Sequence, residues 1–301
     1  MREVAEHVYA YVQPDGGWCL NNAGLVTGGR GAGGGPALID TAATEARARA
    51  LKEAVARVTP EAPRFVVNTH AHGDHTFGNR FFADRALVVA HEGTREEMAL
   101  AGLHLTGLWP DVPWGEVRVE LPGLTFRDAL TLAVGDTRAE LLHPGTAAHT
   151  AGDTVVWLPE QRVLFTGDVV MSGATPFCLS GSVSGSLAAI EALRALGPRT
   201  VVAGHGPVGG PELLDTTAGY LRHVQRLAAE GIAAGLTPLE TAHEADLGPY
   251  AELLDSERLV PNLHRAYAEA AGAPPPGHPL DVEGMFREMV AFHGGLPACA
   301  A

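Results

Sequence analysis

A cluster of three histidines and one aspartate within six residues constrains the fold of this chain more than any other feature. Its members are His70, His72, Asp74 and His75. The apolar run 65–67 just before it predicts a buried β-strand, so the cluster follows a strand end. Gly73 permits a tight turn that lets side chains on both sides of it point inward. Because imidazole nitrogens and carboxylate oxygens bind zinc and similar ions, this stretch predicts a metal site.

Three further candidate ligands lie downstream, and each follows a predicted strand. They are His149, Asp168 and His205, after the runs 140–142, 163–167 and 200–204. Side chains at strand ends are held by a rigid sheet, which a metal site requires. This recurrence argues against the alternative that residues 70–75 are a surface loop that happens to be rich in histidine.

The motif His70-x-His72-x-Asp74-His75, followed by His149, Asp168 and His205, resembles that of the metallo-β-lactamase fold superfamily. The resemblance implies an α/β fold, a four-layer αββα sandwich, with a dinuclear metal site. His70, His72 and His149 would bind one ion, Asp74, His75 and His205 the second, and Asp168 would bridge them. Two zinc ions are expected, although manganese and iron also accept such nitrogen and oxygen ligands.

The two carboxylates of this motif also indicate a class of reaction. Two ions held by these ligands would lower the pKa of a shared water toward neutrality. Asp74 either orients that water or serves only as a ligand. In the superfamily, the antibiotic-hydrolysing members lack the bridging carboxylate, whereas the thioesterase, lactonase and glyoxalase-type members have it. The resemblance therefore implies hydrolysis of a thioester or ester, not of a β-lactam.

The chain divides near residue 210, where a strand-rich pattern gives way to a helical one. Apolar residues then recur at helical spacing in 214–228, a capping box stands at 237–240, and further helices are predicted in 253–271 and 281–293. We expect a catalytic domain over 1–210 and a helical extension over 211–301 that packs on it. The extension either covers the site or forms a homodimer surface.

Two segments of the first domain allow more than one interpretation. The glycine-rich stretch 28–35, between predicted strands 19–26 and 37–41, is read as a hairpin tip because no Gly-Lys-Ser/Thr follows it. Asp40 stands between the second of these strands and a predicted helix over 42–58. It either caps that helix or, as the family implies, supports a ligand histidine from outside the ligand set.

The substrate pocket is predicted around an apolar loop at 102–116, which holds Trp109 and Trp114, and a loop containing Phe177 after Asp168. The first loop either covers a core edge or forms a wall over an apolar or aromatic substrate. Of the remaining histidines near the site, His143 is a weak alternative ligand and His91 is expected to be structural.

Flanking segments resemble the bifunctional cyclase/thioesterases of bacterial aromatic polyketide pathways, the actinorhodin type. These segments are 16–24, 105–110, 168–173 and 263–267. The resemblance implies a small-molecule polyketide thioester carried by an acyl carrier protein. Because carrier proteins are usually acidic and this chain is acidic too, docking would require a local patch of arginines. Either Arg222 and Arg226 or Arg80 and Arg85 could form that patch; the alternative is that these arginines belong to a solvated surface. A lactonase or glyoxalase II-type thioesterase is the alternative, and a non-catalytic metal-binding protein is a remote one.

Charge and composition narrow the partners. The net charge of −14 argues against nucleic acid, which is bound through Lys and Arg. No apolar run is long enough to span a membrane, and residues 1–6 lack the core of a signal peptide, so a cytoplasmic protein is expected. The three cysteines, Cys19, Cys178 and Cys299, suggest neither a disulfide framework nor a zinc knuckle.

Overall fold

The structure is a computed structural model that describes residues 1–29, 35–272 and 280–301. These residues form two β-sheets that pack face to face, with helices on both outer faces. The predicted hairpin tip at 28–35 falls largely outside the described residues. The proline-rich segment 274–277, which the sequence indicates as a break between two helices, and His278 lie entirely outside the described residues.

The first sheet contains the N-terminal strands in chain order. They are β1 (Arg2–Ala5), β2 (Val8–Tyr11), β3 (Ala23–Val26), β4 (Ala37–Ile39), β5 (Phe65–Val67), β6 (Leu87–His91) and β7 (Leu124–Phe126). Pairing is antiparallel from β1 to β4 and parallel from β4 to β7. The strand predicted over 19–26 begins only at Ala23, because Asn21 pairs instead with His205.

The second sheet has the order β12-β11-β10-β9-β8. Its strands are β8 (Ala129–Val134), β9 (Thr137–Leu142), β10 (Val155–Leu158), β11 (Val163–Gly167) and β12 (Thr200–Ala203). Strands β8 to β11 form an antiparallel meander, and β12 adds to β11 in parallel. The loop 143–154 between β9 and β10 carries His149.

The helices lie outside the two sheets. They are α1 (Glu45–Val58), α2 (Gly73–Thr76), α3 (Glu92–Ala101), α4 (His104–Leu108), α5 (Val183–Ala195), α6 (Glu212–Ala234), α7 (Pro238–Glu244), α8 (Leu259–Ala270) and α9 (Val282–His293). Short 3-10 helices are formed by Phe77–Phe81, Gly248–Tyr250 and Ser256–Arg258. No helix in the described ranges combines the length and the apolar character needed to cross a membrane.

Side chains that point alternately to the two faces of a sheet connect the layers of the fold. In β2, Val8 and Ala10 face the second sheet, whereas Tyr9 and Tyr11 pack with the layer that holds α1. Because successive side chains of a strand point to opposite faces, each strand contributes to two cores. Burial of one large aliphatic side chain in such a core contributes roughly 1.5–3 kcal/mol. The predicted α/β fold with four layers is therefore confirmed.

The C-terminal helices share one apolar core with the second sheet. Residues of β10, β11 and β12 pack with residues of α5, α6 and α8, among them Leu164, Ile190 and Leu263. The predicted capping box at the start of α7 is present, with Thr237 and Glu240 satisfying each other's backbone N–H groups. The helical character of this region is confirmed, and the domain boundary at residue 210 stays a prediction.

Candidate metal centre

The seven predicted ligand side chains come together where strands of both sheets end. The cluster 70–75 follows β5, His149 lies between β9 and β10, and Asp168 and His205 follow β11 and β12. Their ligand atoms form two groups, each within 4.8 Å: one of His70, His72, His149 and Asp168, and one of Asp74, His75 and His205. This grouping matches the division into two metal sites that the family motif implies.

Asp168 stands between the two groups. Its Oδ2 lies 3.6 Å from Nε2 of His149 in the first group and 3.4 Å from Nε2 of His205 in the second. Its Oδ1 lies 3.2 Å from Nε2 of His75. A Cβ at Gly204 would lie 1.8 Å from Oδ1 of Asp168, so only glycine leaves room for the carboxylate there. The carboxylate therefore occupies the position that a bridging ligand requires.

The outer nitrogen of several imidazoles is held by a hydrogen-bond partner. Nδ1 of His75 lies 2.8 Å from Oδ2 of Asp40, Nδ1 of His149 lies 2.6 Å from the carbonyl of Phe177, and Nδ1 of His205 lies 3.1 Å from the carbonyl of Gly16. Such partners fix the tautomer and leave Nε2 free to bind a cation. These contacts orient the rings toward the common centre.

Asp40 supports the cluster and does not cap α1. Its carboxylate accepts hydrogen bonds from the backbone and the hydroxyl of Thr69, at 2.8 and 2.7 Å, besides its contact with His75. The N-cap of α1 is Thr44, whose hydroxyl accepts a hydrogen bond from the backbone N–H of Arg47. The capping interpretation of Asp40 is therefore wrong.

Gly73 is required for a different reason from the one the sequence indicated. It begins α2 and has no left-handed backbone conformation. A Cβ there would lie 2.4 Å from the ring of Phe77, which packs against it. The close packing of that ring, and not the shape of the turn, excludes a side chain at Gly73.

The donor set fits divalent cations. Nε2 of His70, Nε2 of His75 and Oδ1 of Asp168 are buried and have no hydrogen-bond partner of acceptable geometry among the described residues. A buried polar atom without a partner is destabilising, and a cation would satisfy all three atoms. The mixture of imidazole nitrogens and carboxylate oxygens suits zinc and also manganese or iron.

The two groups differ in their protonation when no metal is bound. Burial lowers the pKa of His149 to about 3, and burial together with the charge of His75 lowers the pKa of His70. Burial also acts to lower the pKa of His205, but the charges of Asp168 and Asp74 outweigh it and raise the pKa to about 9. The first group is therefore ready to bind a cation, whereas the second must first release protons.

The two carboxylates are ionised. Burial acts to raise the pKa of Asp168, but the charges of His205 and His75 outweigh it and hold that pKa well below the usual range of a carboxyl group. The pKa of Asp74 is lowered in the same way, mainly by His75 and His205. Both side chains are therefore available as anionic ligands at neutral pH.

A cavity of about 720 Å³ opens over this centre. Its floor includes His72, Asp74, Asp168 and His205, and its walls are mainly apolar. The apolar part of those walls is formed by Trp18, Phe77, Leu100, Leu105, Leu108, Trp109, Phe177, Leu179, Val282 and Phe286. The charged residues Glu97, Arg258, Arg265, Glu283 and Arg287 line the same cavity. The predicted pocket residues Trp109 and Phe177 thus line the cavity.

Trp114 does not line the cavity, and its prediction as a pocket residue is wrong. Its indole packs edge-on against Phe77, with the ring centroids 6.2 Å apart, and its Nε1 donates to the carbonyl of Trp109 at 3.0 Å. Trp114 therefore lies behind the cavity wall and supports it. Sequence reasoning missed Trp18 and Phe286, although the segment 16–24 around Trp18 carried a signal through its resemblance to the cyclase/thioesterases.

The remaining candidates lie apart from the two groups. His143 stacks on His91 with ring centroids 4.3 Å apart, and its Nδ1 contacts the carbonyl of Asp153 at 2.9 Å. The alternative that His143 binds metal is therefore wrong. All three cysteines are free thiols; Cys19 lines the cavity, and Cys299 packs against the apolar cluster that contains Cys19.

The comparisons with known proteins agree with this geometry. A family model described as the metallo-beta-lactamase superfamily matches residues 16–205. A hydroxyacylglutathione hydrolase of Anaeromyxobacter dehalogenans is 30% identical over 248 residues, which are 80% of this chain and 82% of that protein. The alpha subunit of a 2,4-dinitroanisole O-demethylase of a Nocardioides species is 30% identical over 140 residues, 46% of this chain and 38% of the subunit.

Solved structures include similar folds. A metallo-beta-lactamase from Pontibacter korlensis superposes with a TM-score of 0.54 at 25% identity, covering 67% of this chain and 87% of that one. This chain spans less than half the length of the first curated relatives that it matches.

Proposed function

Because this chain belongs to the metallo-beta-lactamase superfamily, we propose that it is a metal-dependent hydrolase that cleaves the thioester of a bulky aromatic acyl group. One observation carries the proposal: a carboxylate stands between two groups of ligand side chains at the floor of a large apolar cavity. The hydroxyacylglutathione hydrolase relative supports the bond type, since hydroxyacylglutathione is itself a thioester.

Two zinc ions are proposed as cofactors, and manganese or iron would accept the same donors. His70, His72 and His149 would hold one ion, Asp74, His75 and His205 the other, and Asp168 would contact both. Bound there, the pair would lower the pKa of water and polarise the substrate carbonyl.

The protein's own residues would position the reactants. Asp74 lies at the cavity floor, so its carboxylate can accept a hydrogen bond from the attacking water and orient it. The apolar walls would hold the acyl group and exclude bulk water. The departing thiolate needs little help from an acid, because an ordinary thiol has a pKa of about 8.5.

The polyketide assignment is supported by where the resembling segments lie. The segment 16–24 contributes Trp18 and Cys19 to the cavity, the segment 105–110 contributes Leu105, Leu108 and Trp109, and the segment 263–267 contributes Arg265. We propose on this ground an aromatic polyketide thioester as substrate, with ring closure accompanying hydrolysis. Delivery by an acyl carrier protein is part of the same proposal.

A second candidate is a hydroxyacylglutathione hydrolase, because the relative with that name is similar over 80% of this chain. The lining of the cavity favours the first candidate. Its walls are mainly aromatic and aliphatic, which suits a bulky acyl group. Arg258, Arg265 and Arg287 also line the cavity, and their positive charge would suit the two carboxylates of glutathione, so the substrate comparison decides between the candidates.

The two candidates are separated by a substrate comparison. The zinc-loaded protein would be given a 2-naphthoyl thioester of N-acetylcysteamine, an acetoacetyl thioester and S-lactoylglutathione, with release of thiol followed by a colorimetric reagent. A kcat/KM at least about tenfold higher for the naphthoyl thioester, lost after chelation, is the expected result. Preference for S-lactoylglutathione would favour the second candidate, and cleavage of none of them would reject both. Mass analysis of products from poly-β-keto thioesters then reports whether a ring is closed.

A further inference from the structure

Trp18 forms part of the cavity wall but belongs to no helix or strand. It lies in the turn 15–19, where Asp15, Gly16 and Cys19 all have positive φ values, of 51°, 82° and 64°. The carbonyl of Gly16 in the same turn accepts a hydrogen bond from Nδ1 of the candidate ligand His205. Because regular secondary structure does not fix this turn, the position of the indole depends on the side chains around it.

The side chains that hold the indole come from the C-terminal region. Nε1 of Trp18 donates to Oε1 of Glu257 at 2.6 Å, and Glu257 is buried. The guanidinium of Arg258 lies 4.0 Å from the centroid of the same ring. Arg258 is itself fixed by Asp255, at 2.8 Å, and by the carbonyl of Thr175, at 3.0 Å. The indole is therefore held at its nitrogen and on one face.

The held indole forms an aromatic corner with two other residues of the wall. Its ring lies 5.4 Å from that of Trp109, at 47°, and 5.4 Å from that of Phe177, at 81°. A planar acyl group entering this corner would meet aromatic faces and edges in orientations that are favourable for ring contacts.

We propose that Glu257 and Arg258 are positioning residues that set acyl selectivity by holding Trp18 in this corner. The inference rests on the proposed function, since it requires the acyl group to enter the cavity. It assigns the C-terminal region a part in substrate choice. Without these two contacts, the side chain of Trp18 would be mobile and would have to be ordered each time an acyl group bound against it. Bulky acyl groups, which contact the indole, would therefore bind more weakly, whereas small ones would not be affected.

A matched control exists in the same region. Glu269 of α8 also joins the C-terminal helices to the rest of the protein, accepting from the hydroxyl of Ser182 at 2.8 Å and the backbone of Val183 at 2.8 Å. It does not line the cavity. Glu269→Leu therefore tests for a purely structural effect of removing a part-buried carboxylate contact.

The experiment compares Glu257→Leu, Glu257→Gln, Trp18→Phe and Glu269→Leu as zinc-loaded proteins. KM is measured for the acetyl and 2-naphthoyl thioesters of N-acetylcysteamine, and calorimetry gives the Kd of the amide analogue of the naphthoyl compound. Glu257→Leu and Trp18→Phe are each expected to raise the KM of the naphthoyl thioester and the Kd of its amide analogue by roughly three- to tenfold. The KM of the acetyl thioester should stay unchanged. Glu257→Gln keeps an oxygen acceptor for the indole and should bind like wild type.

The inference is overturned if Glu257→Leu changes acetyl and naphthoyl KM equally, or if Glu269→Leu produces the same change in naphthoyl Kd. Adding Trp18→Phe to Glu257→Leu should weaken naphthoyl binding no further, because the two changes break one contact. If wild type cleaved no thioester, the proposed function would fail, whereas calorimetry would still decide this inference.

Discussion

Oδ2 of Asp40 lies 2.8 Å from Nδ1 of His75. This contact directs Nε2, the opposite nitrogen of the ring, toward the carboxylates of Asp168 and Asp74. Nε2 of His75 lies 3.2 Å from Asp168 and 3.8 Å from Asp74. Asp40 adopts a left-handed conformation with φ of 57°, which is uncommon for a residue with a side chain. The backbone is thus strained at the residue that orients a ligand.

Asp40→Ala is therefore expected to weaken binding at the second group of ligands. Loss of the acceptor frees the ring of His75, and loss of such a partner typically lowers metal affinity by about 10–100-fold. Zinc affinity would be measured by competition with a chromogenic chelator. Asp40→Asn keeps one oxygen and should show a smaller loss. Equal zinc affinity in wild type and Asp40→Ala would contradict the role assigned to this contact.

Asp168→Ala tests the bridging position. Removal of this carboxylate takes a ligand from both groups. Loss of a residue that only hydrogen-bonds a ligand typically costs about 10–100-fold in activity, so loss of Asp168 itself should lower thioester hydrolysis by more than roughly a hundredfold. The zinc content measured by mass spectrometry should fall below two per chain. Circular dichroism should show a retained fold, since the side chain faces the cavity floor. Near-wild-type turnover of Asp168→Ala would contradict the proposed mechanism with two metal ions.

The ligand positions could be predicted from the sequence because each follows a strand end. The motif at 70–75 is local, and the parallel and antiparallel pairing of β5, β9, β11 and β12 brings the ligands to one edge of the sandwich. The change from a strand-rich to a helical pattern near residue 210 was equally local, whereas the four layers followed from the resemblance of the ligand motif to the family.

The walls of the cavity could not be predicted with the same success. Trp18 and Glu257 are 239 residues apart, and their contact depends on an irregular turn meeting a 3-10 helix. No periodic pattern encodes such a meeting. Trp109 and Trp114 look alike in sequence, but only the first reaches the cavity, because Trp114 turns its ring toward Phe77.

The metal-free protein should have a stability optimum near neutral pH. Lowered pKa values of His149 and His70 make stability rise with pH up to about 6.5, where the unfolded histidines lose their protons. The raised pKa of His205 adds stability that is complete below about 6.5 and is lost as pH rises through about 9.

Thermal unfolding in a chelator should therefore give a Tm that falls between about pH 7 and 9. With zinc bound, protons are displaced from the same nitrogens, so this alkaline decrease should vanish. An alkaline decrease of equal size with and without zinc would contradict the assignment of His205 as a ligand.

The three thiols should react with iodoacetamide in a defined order, because only the thiolate is nucleophilic. The hydrogen bond with Cys19 lowers the pKa of Cys299, which is half-buried, whereas the same bond and burial raise the pKa of Cys19. Burial raises the pKa of Cys178 to about 12. Peptide mapping after a short pulse near pH 8 should find Cys299 labelled first and Cys178 last.

Metal loading should accelerate this labelling, because the charge of Asp74 raises the pKa of both Cys19 and Cys299. Cations bound by Asp74 would neutralise that charge, so the thiolate fraction of Cys299 would increase. The rate at Cys299 is therefore expected to be higher in zinc-loaded than in chelated protein, and the rate at Cys178, used as the internal control, should not change. A slower rate with zinc would instead indicate that the thiol pair itself binds the metal, and would contradict the separation of these thiols from the candidate centre.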